Sequence, residues 1–334
     1  MTTSNQQPAT SILVFDTSIS SENLGDLIIC DSVYKILYDL FEGFHFTNTT
    51  THDRIGRATW RLNEKSFLSF VAGTNLLTSR TYRQKQWRLR LRDALHLKNL
   101  LLLGAGWTDY QDDPTNYTKW FYRKILSHNL PHAVRDGYTK KKIESVGLNN
   151  VLNTGCPTTW NLTPDFCNKI TREKSKNVVF TLTDYRQDPQ SDSFFIKTLF
   201  KKYKDIYFWP QGTGDLKYLQ SLGFSNIFIL PSNLPAYDNL LKSDLSLDYI
   251  GTRLHAGIRA LQHQRRSIIF SIDNRAAEMG ADINLPVLER SSINNSLQSK
   301  IDISWKTDIV IREQEIQEWR NSIQAHYKEN FKII

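Results

Sequence analysis

Short apolar runs that end at small residues recur along this chain, and stretches with helical spacing separate them. SILVF at 11–15 leads into a polar loop at 16–21, and SFLSFV at 66–71 ends at Ala72-Gly73-Thr74. NLLLL at 99–103 ends at Gly104-Ala105-Gly106, and the run at 132–134 leads into Arg135-Asp136-Gly137. The run at 150–153 precedes Thr154-Gly155-Cys156-Pro157. Apolar residues at helical spacing fill 28–41 and 138–146. Strands that alternate with helices and stop at small residues indicate parallel α/β units.

The pattern breaks once and restarts. Residues 161–177 (NLTPDFCNKITREKSKN) are polar and carry no strand signal. Strands are then expected at 177–182, 205–209, 226–230, 247–250 and 267–272, with helices at 193–203, 215–222, 234–242 and 254–262. The tail from Glu313 reads as one long helix. A length of 334 residues agrees with two domains at about 150 residues each. The expected division is a first α/β domain over 1–160, a linker over 161–177, a second over 178–312 and a terminal helix over 313–334. Two successive α/β halves imply two Rossmann-like domains facing a cleft, with ligand at the carboxyl ends of the strands.

No apolar run approaches the roughly 18 residues of a membrane-spanning helix. The N-terminus, MTTSNQQPATSILVFDTS, lacks the basic start and long apolar region of a secretory signal. Three scattered cysteines, Cys30, Cys156 and Cys167, imply reduced thiols and a cytoplasmic location. The net charge of +8 favours anionic partners: phosphates, acidic glycans, nucleic acid or an anionic membrane. Much of the excess is local. Arg80, Arg83, Lys85, Arg88, Arg90 and Arg92 lie close together, and Lys140–Lys142 is a triplet.

Several familiar signatures are absent. The chain has no phosphate loop, no dinucleotide fingerprint, no H-E-x-x-H, no C-x-x-C, no G-x-S-x-G and no D-x-D. His128 and His132 are four apart, but Pro131 interrupts a helical metal face, so no structural metal is expected. Nucleic acid is not an expected partner, because no standard binding module is present.

Four constellations remain. Asn23-Leu24-Gly25-Asp26 stands between a strand and a helix: Gly25 suits a tight turn, Asn23 or Asp26 can cap the helix, and the helix amides can hold an anion. The plain alternative is a helix cap. Gly251-Thr252-Arg253-Leu254-His255-Ala256-Gly257 stands at a second such turn. There Arg253 offers a planar fork for phosphate or carboxylate, and His255 is matched to proton transfer near neutral pH. The alternative is a satisfied histidine beside a solvated arginine. Arg135-Asp136 is a candidate second anion contact across the cleft, or else a surface ion pair of little energetic weight. Finally, the basic segment 81–97 interleaves Trp87, Leu89, Leu91, Leu95 and Leu97 with its charges. It suits an anionic membrane or a glycan phosphate, or a solvated helix whose long side chains lie over the core.

Together these residues resemble the polysaccharide pyruvyl transferase family. The likeness rests on Asn23-Leu24-Gly25-Asp26, Ala72-Gly73, Gly104-Ala105-Gly106, Val134-Arg135-Asp136, Gly155-Cys156-Pro157, Tyr249-Ile250-Gly251-Thr252-Arg253-Leu254-His255-Ala256 and the strand ending at Asp273. It spans roughly residues 12 to 320. Gly155-Cys156-Pro157 departs from the family's Gly-Asp-Pro, and Arg275 stands where the family often has lysine.

The resemblance implies a GT-B-like fold whose terminal helix packs back on the first domain, with the acceptor on the first domain and the donor on the second. It implies transfer of pyruvate from phosphoenolpyruvate onto two hydroxyls of one sugar, as a cyclic ketal, with phosphoenolpyruvate as co-substrate and no cofactor. Arg253, His255 and Asp26 are then the expected catalytic residues. Arg135, Asn23, Gly25, Thr252 and Asp273 are the expected substrate contacts. The expected partners are phosphoenolpyruvate, a sugar acceptor that can be lipid-linked, and an anionic membrane met peripherally by the Arg80–Arg92 region at its inner face. Two other readings of the same residues stay open: a glycosyltransferase using a nucleotide-sugar, and a non-catalytic glycan-binding module.

Overall fold

The computed structural model of the chain describes residues 10–83 and 86–331. It divides into two compact units. One comprises the chain through Ser20, Cys30–Pro157 and the tail from Arg312; the other comprises Ser21–Ile29 and Thr158–Ile311.

The first unit contains strands β1 (Ser11–Asp16), β2 (His45–Thr50), β3 (Leu68–Ala72), β4 (Asn75–Leu77), β5 (Leu100–Trp107), β6 (His132–Val134) and β7 (Val151–Asn153). Its helices are α1 (Leu24–Leu40), α2 (Arg57–Lys65), α3 (Leu91–Ala94), α4 (Asn116–Ile125) and α5 (Gly137–Val146), the start of α1 falling in the other unit's segment. The strands pair in the order β2-β1-β3-β5-β6-β7, with β4 beside the end of β5. All of these pairings are parallel. The connection direction reverses between β1 and β3, the place where open α/β sheets bind ligands.

The second unit contains β8 (Asn177–Thr181), β9 (Ile206–Phe208), β10 (Phe228–Ile229), β11 (Leu247–Gly251), β12 (Ser267–Ser271) and β13 (Val287–Glu289). Its helices are α6 (Pro164–Cys167), α7 (Pro189–Lys202), α8 (Asp215–Ser221), α9 (Leu234–Lys242), α10 (Leu254–Gln262), α11 (Asn274–Ile283) and α12 (Ile293–Asp302). The parallel order β10-β9-β8-β11-β12-β13 is the doubly wound Rossmann arrangement, and its reversal lies between β8 and β11. The terminal helix α13 (Glu313–Asn330) belongs to the first unit.

Local chemistry explains these elements. β8, β11 and β12 are buried along their whole length, as strands covered on both faces must be. Thr115, Asp136, Thr163, Asp188, Asn233 and Asp273 each precede a helix and accept a backbone N–H of its first turn. Each such cap contributes on the order of 1 kcal/mol. Helix α13 buries Ile316, Trp319 and Ile323, and Trp319 Nε1 donates to Pro131 O at 3.1 Å. Its Tyr327 meets Phe41 and Phe44 edge-on, with centroids 6.3 and 5.6 Å apart.

Several sequence expectations are corrected. The run expected to stop at residue 103 continues through Gly104-Ala105-Gly106 to Trp107, every residue buried. Gly104 takes φ of +79°, and the β5–β6 register shifts between Leu103 and Ala105, so the glycine marks a bulge rather than a turn. Strand β2 was not expected, because its sequence HFTNTT is polar; it is an edge strand paired on one side only. Helices α2 and α4 and strands β4 and β13 were also not expected. The basic segment is not a helix. A single 3-10 turn lies at Thr81–Arg83, residues 86–90 are irregular, and the one-turn α3 follows them. Trp87 and Leu97 are buried in the first core, whereas Leu91 and Leu95 are 53% and 62% exposed. Lys85 of that segment lies outside the described residues.

Candidate active site

The second unit gathers polar side chains at the carboxyl ends of β8 and β11, on either side of its reversal. Thr252 follows β11, and its hydroxyl pairs with that of Thr183 at 2.8 Å. Tyr249 joins the same two strand ends, bonding Thr181 Oγ1 and donating to Arg253 O, each at 2.7 Å. Arg253 occupies the cap position of α10, and His255 lies in its first turn; both are 3% exposed.

The guanidinium of Arg253 is gripped by aspartates that the sequence reading did not single out. Its Nε donates to Asp215 Oδ2 at 3.0 Å and to Leu182 O at 3.1 Å. Its Nη2 donates to Asp215 Oδ1 and, at 3.0 Å, to Asp184 Oδ1. The expected fork for a phosphate is therefore committed to Asp215, and Nη1 is the nitrogen outside these bonds. Arg253 also lies over the Tyr185 ring, 5.1 Å from its centroid. Asp215 is fully buried and accepts the backbone N–H groups of Asp184, Gln211 and Gly212. Burial pushes its carboxyl above the usual carboxylate range, against the pull of Arg253. Burial likewise works against the charge on Arg253, and Asp215 more than offsets it, holding the guanidinium above its ordinary value.

The loop after β9 links this cluster to the start of the chain. Gln211 Nε2 donates to Asn23 Oδ1 at 2.7 Å, and Leu24 N donates to Gln211 O at 2.9 Å. Asn23 and Gly212 form an antiparallel bridge. A Cβ on Gly212 would lie 2.2 Å from Arg253 Nη2, so only glycine admits the guanidinium there. Asn23 Oδ1 also accepts Gly25 N at 3.0 Å, which makes Asn23 a cap for α1. Asp26 is buried, and its Oδ2 accepts the Ser21 hydroxyl at 2.6 Å, closing the turn ahead of the helix.

Asp273 caps α11 and is clamped by Arg275, whose Nε lies 3.1 Å from both carboxylate oxygens. Arg275 Nη2 also donates to Tyr185 OH at 2.7 Å. Tyr185 thus carries Arg253 on its ring face and Arg275 on its hydroxyl. The structure therefore brings Asn23, Gly25, Thr252, Arg253 and, through Tyr185, Asp273 into one network. The missed members, Asp184, Tyr185, Gln211 and Asp215, had one signal in sequence: Gln211-Gly212-Thr213-Gly214-Asp215 repeats the strand–glycine–helix pattern.

Arg135 belongs to the first unit. It is buried with Asp136, which excludes the alternative of a surface pair. Arg135 Nε donates to Asp136 Oδ2 at 3.1 Å, while Asp136 Oδ1 caps α5 by accepting Thr139 N at 2.7 Å. The guanidinium lies flat on Gly106, where a Cβ would fall 2.2 Å from Nη2. Arg135 Nη2 lies 3.1 Å from Asp136 Oδ2 in an ion pair without hydrogen-bond geometry, and Nη1 is buried without a hydrogen-bond partner. Asn75 pairs with Gly106 across the β4–β5 ladder, and its Oδ1 is likewise buried without a partner. An unpaired buried donor and an unpaired acceptor around one glycine are costly unless a ligand completes them. With Asp136 on one edge of the guanidinium, the groups that would complete the site are an anionic oxygen for Arg135 Nη1 and a hydroxyl for Asn75.

No protein of curated function matches the chain in sequence. Among solved structures it is similar to the UDP-GlcNAc 2-epimerase of Methanocaldococcus jannaschii, with 12% identity and a TM-score of 0.52 over 93% of this chain and 98% of that one. It is also similar to a wall teichoic acid polymerase (13%, TM-score 0.43, 98% and 85% covered) and to an E. coli heptosyltransferase (14%, TM-score 0.39, 96% and 100% covered). The epimerase likeness shows the fold: two parallel-sheet α/β units of the GT-B kind. The family model of polysaccharide pyruvyl transferases matches residues 23–274, a span that opens on Asn23 and takes in Arg135, Arg253, His255 and Asp273. With that span covering well over half of its length, the chain belongs to the polysaccharide pyruvyl transferase family.

Proposed function

We propose that this protein transfers the pyruvyl group of phosphoenolpyruvate onto two hydroxyls of one sugar in a cell-surface polysaccharide or its lipid-linked precursor, forming a cyclic ketal. Family membership carries the coarser statement, a transferase that modifies polysaccharide. The observation that supports the finer one is Arg135: a buried cation whose Nη1 has no partner and whose Nη2 meets only Asp136, in an ion pair without hydrogen-bond geometry. Phosphoenolpyruvate is a small anion with a carboxylate and a phosphate, and planar guanidinium binds either group bidentately.

In this reading C3 of the enol is protonated, which leaves an oxocarbenium-like centre at C2. One sugar hydroxyl attacks C2, the C2–O bond to phosphate breaks, and a second hydroxyl closes the ring. Of the two hydroxyl protons released, one balances the proton taken up at C3 and the other leaves with phosphate. His255 is the acid–base residue for these steps, worth roughly 10²- to 10⁴-fold if positioned. Arg253 is held by Asp215 and Asp184, so its part is to orient α10 and present Nη1, rather than to lend its whole fork. No cofactor enters this reading.

The experiment is incubation with phosphoenolpyruvate and candidate lipid-linked sugars, read by phosphate release and by the mass gain of one ketal-linked pyruvyl group. Phosphate release that requires the acceptor supports the reading. Turnover of a nucleotide-sugar with none of phosphoenolpyruvate would replace it with glycosyl transfer. Thermal stabilisation gives a faster preliminary view, since a ligand at 100 times its dissociation constant adds about 2.7 kcal/mol.

A further inference from the structure

The first unit exposes apolar side chains inside a basic surface. Between residues 80 and 98 the chain has seven Lys and Arg against one acid, Asp93. Asp93 is fully buried: its Oδ1 accepts Trp60 Nε1 at 3.1 Å and its Oδ2 accepts Arg90 N at 2.7 Å. It also pairs with the Arg90 guanidinium at 3.3 Å, so it offsets one of the seven cations and leaves the others in excess. Helix α4 adds Lys119, Arg123 and Lys124 and has no acid. At the margin, Asp112 and Asp113 are paired with Arg80 at 3.5 Å and Lys142 at 3.2 Å.

Within this basic surface Leu91 and Leu95 are 53% and 62% exposed, Tyr82 is 58% exposed and Trp120 is 38% exposed. Leu91 and Leu95 are four residues apart on and just after α3, so they share a face. Both α3 and the Thr81–Arg83 turn pack on α4. Aromatic contacts join the remainder: Tyr82 meets Tyr117 with centroids 6.2 Å apart, and Tyr117 meets Trp120 at 5.8 Å. Of the segment's other large apolar residues, Trp87 and Leu97 are buried in the core and Leu89 packs against it half-buried. Burial thus sorts one sequence run into anchors that fix the segment and side chains that project from it.

We propose that this face docks on the surface of an anionic lipid bilayer. Basic side chains meet the headgroups while Leu91, Leu95, Tyr82 and Trp120 enter the apolar boundary beneath. Charge complementarity alone would also suit an acidic polysaccharide. The two exposed leucines decide against it, because a hydrated polyanion offers no apolar layer to receive them. The inference does not depend on which group the enzyme transfers.

The test is co-sedimentation of the whole protein with two kinds of vesicle: phosphatidylcholine alone, and phosphatidylcholine mixed with phosphatidylglycerol. Binding is expected to the mixed vesicles only, falling steeply as salt shortens the screening length to about 10 Å near 0.1 M. Leu91→Ser with Leu95→Ser should reduce binding about tenfold or more, with Tm unchanged because both side chains are exposed. Arg83→Gln with Lys98→Gln should reduce it roughly thirtyfold, a factor of about five for each charge removed from the surface. Absence of binding to mixed vesicles overturns the proposal. So does binding that both double variants leave intact, or retention on an acidic polysaccharide in the absence of vesicle binding.

Discussion

Asp215 holds Arg253 with both of its carboxylate oxygens, and three backbone N–H groups from two other loops hold Asp215. The arginine at the start of α10 is therefore fixed from the side of α8. Asp215→Asn leaves a buried guanidinium short of its counter-charge, and breaking one partner of such a pair costs about 3–5 kcal/mol. We expect Tm to fall by roughly 10 °C. Asp184→Asn should cost much less, because Asp184 is 31% exposed and water replaces the lost contact. Thermal unfolding of the two variants side by side checks the ranking, and equal losses would contradict the assignment of Asp215 as the main anchor.

Arg135 is expected to behave in the opposite way. Its Nη1 lacks a partner and its charge is matched by Asp136, a pairing that a lysine can keep. Arg135→Lys keeps the charge and loses the plane that rests on Gly106. The dissociation constant for phosphoenolpyruvate should rise about 10- to 100-fold while Tm moves by a few degrees at most. Calorimetric titration reads the first quantity and unfolding the second. Unchanged affinity would remove Arg135 from the anion site.

The contrast between these two arginines marks how far the sequence could be read. Arg253, Arg135, Asn23 and Gly25 stand where a buried strand meets a helix, and that junction is visible in one dimension because apolar runs, glycines and caps are local signals. The reasons these residues matter are not local. Asp215 reaches Arg253 from 38 positions away, and Gln211 reaches Asn23 from 188 away. Such contacts follow from strand order, which hydrophobic pattern does not specify. Asn75 was passed over because β4 is three residues long and pairs only with the end of β5. The same limit explains the basic segment, where alternation of charge and apolar residues could not say that Trp87 turns inward and Leu91 outward.

His255 separates chemistry from binding. If it transfers a proton, His255→Gln lowers kcat roughly 10²- to 10⁴-fold and leaves the phosphoenolpyruvate dissociation constant within a few fold. Loss of an interaction made only in the transition state lowers kcat and kcat/KM together. If His255 only helps to hold the anion, KM rises and kcat at saturation stays near wild type. Steady-state kinetics of the variant with saturating acceptor distinguish the two outcomes, and the second removes His255 as the acid–base residue.

His132 gives the fold a pH dependence of its own. It is fully buried on β6; its Nδ1 accepts Leu102 N at 3.2 Å, and its Nε2 donates to Ser127 O at 2.9 Å. Both ring nitrogens are thus used by the neutral form. Burial pushes its pKa down from 6.5 to about 4. The unfolded chain takes up this proton near pH 6.5 and the native protein only near 4, so between those values the unfolded state binds more protons. Stability therefore rises with pH across that window and is lost as pH falls through it. The lowering from 6.5 to about 4 corresponds to about 3 kcal/mol in total, none of it lost above pH 7. His132→Gln removes the titrating group whatever it does to absolute stability. Its Tm should fall less steeply than that of the wild type between pH 6.5 and 4.5, and parallel Tm curves for the two proteins would show that other groups set the acid sensitivity.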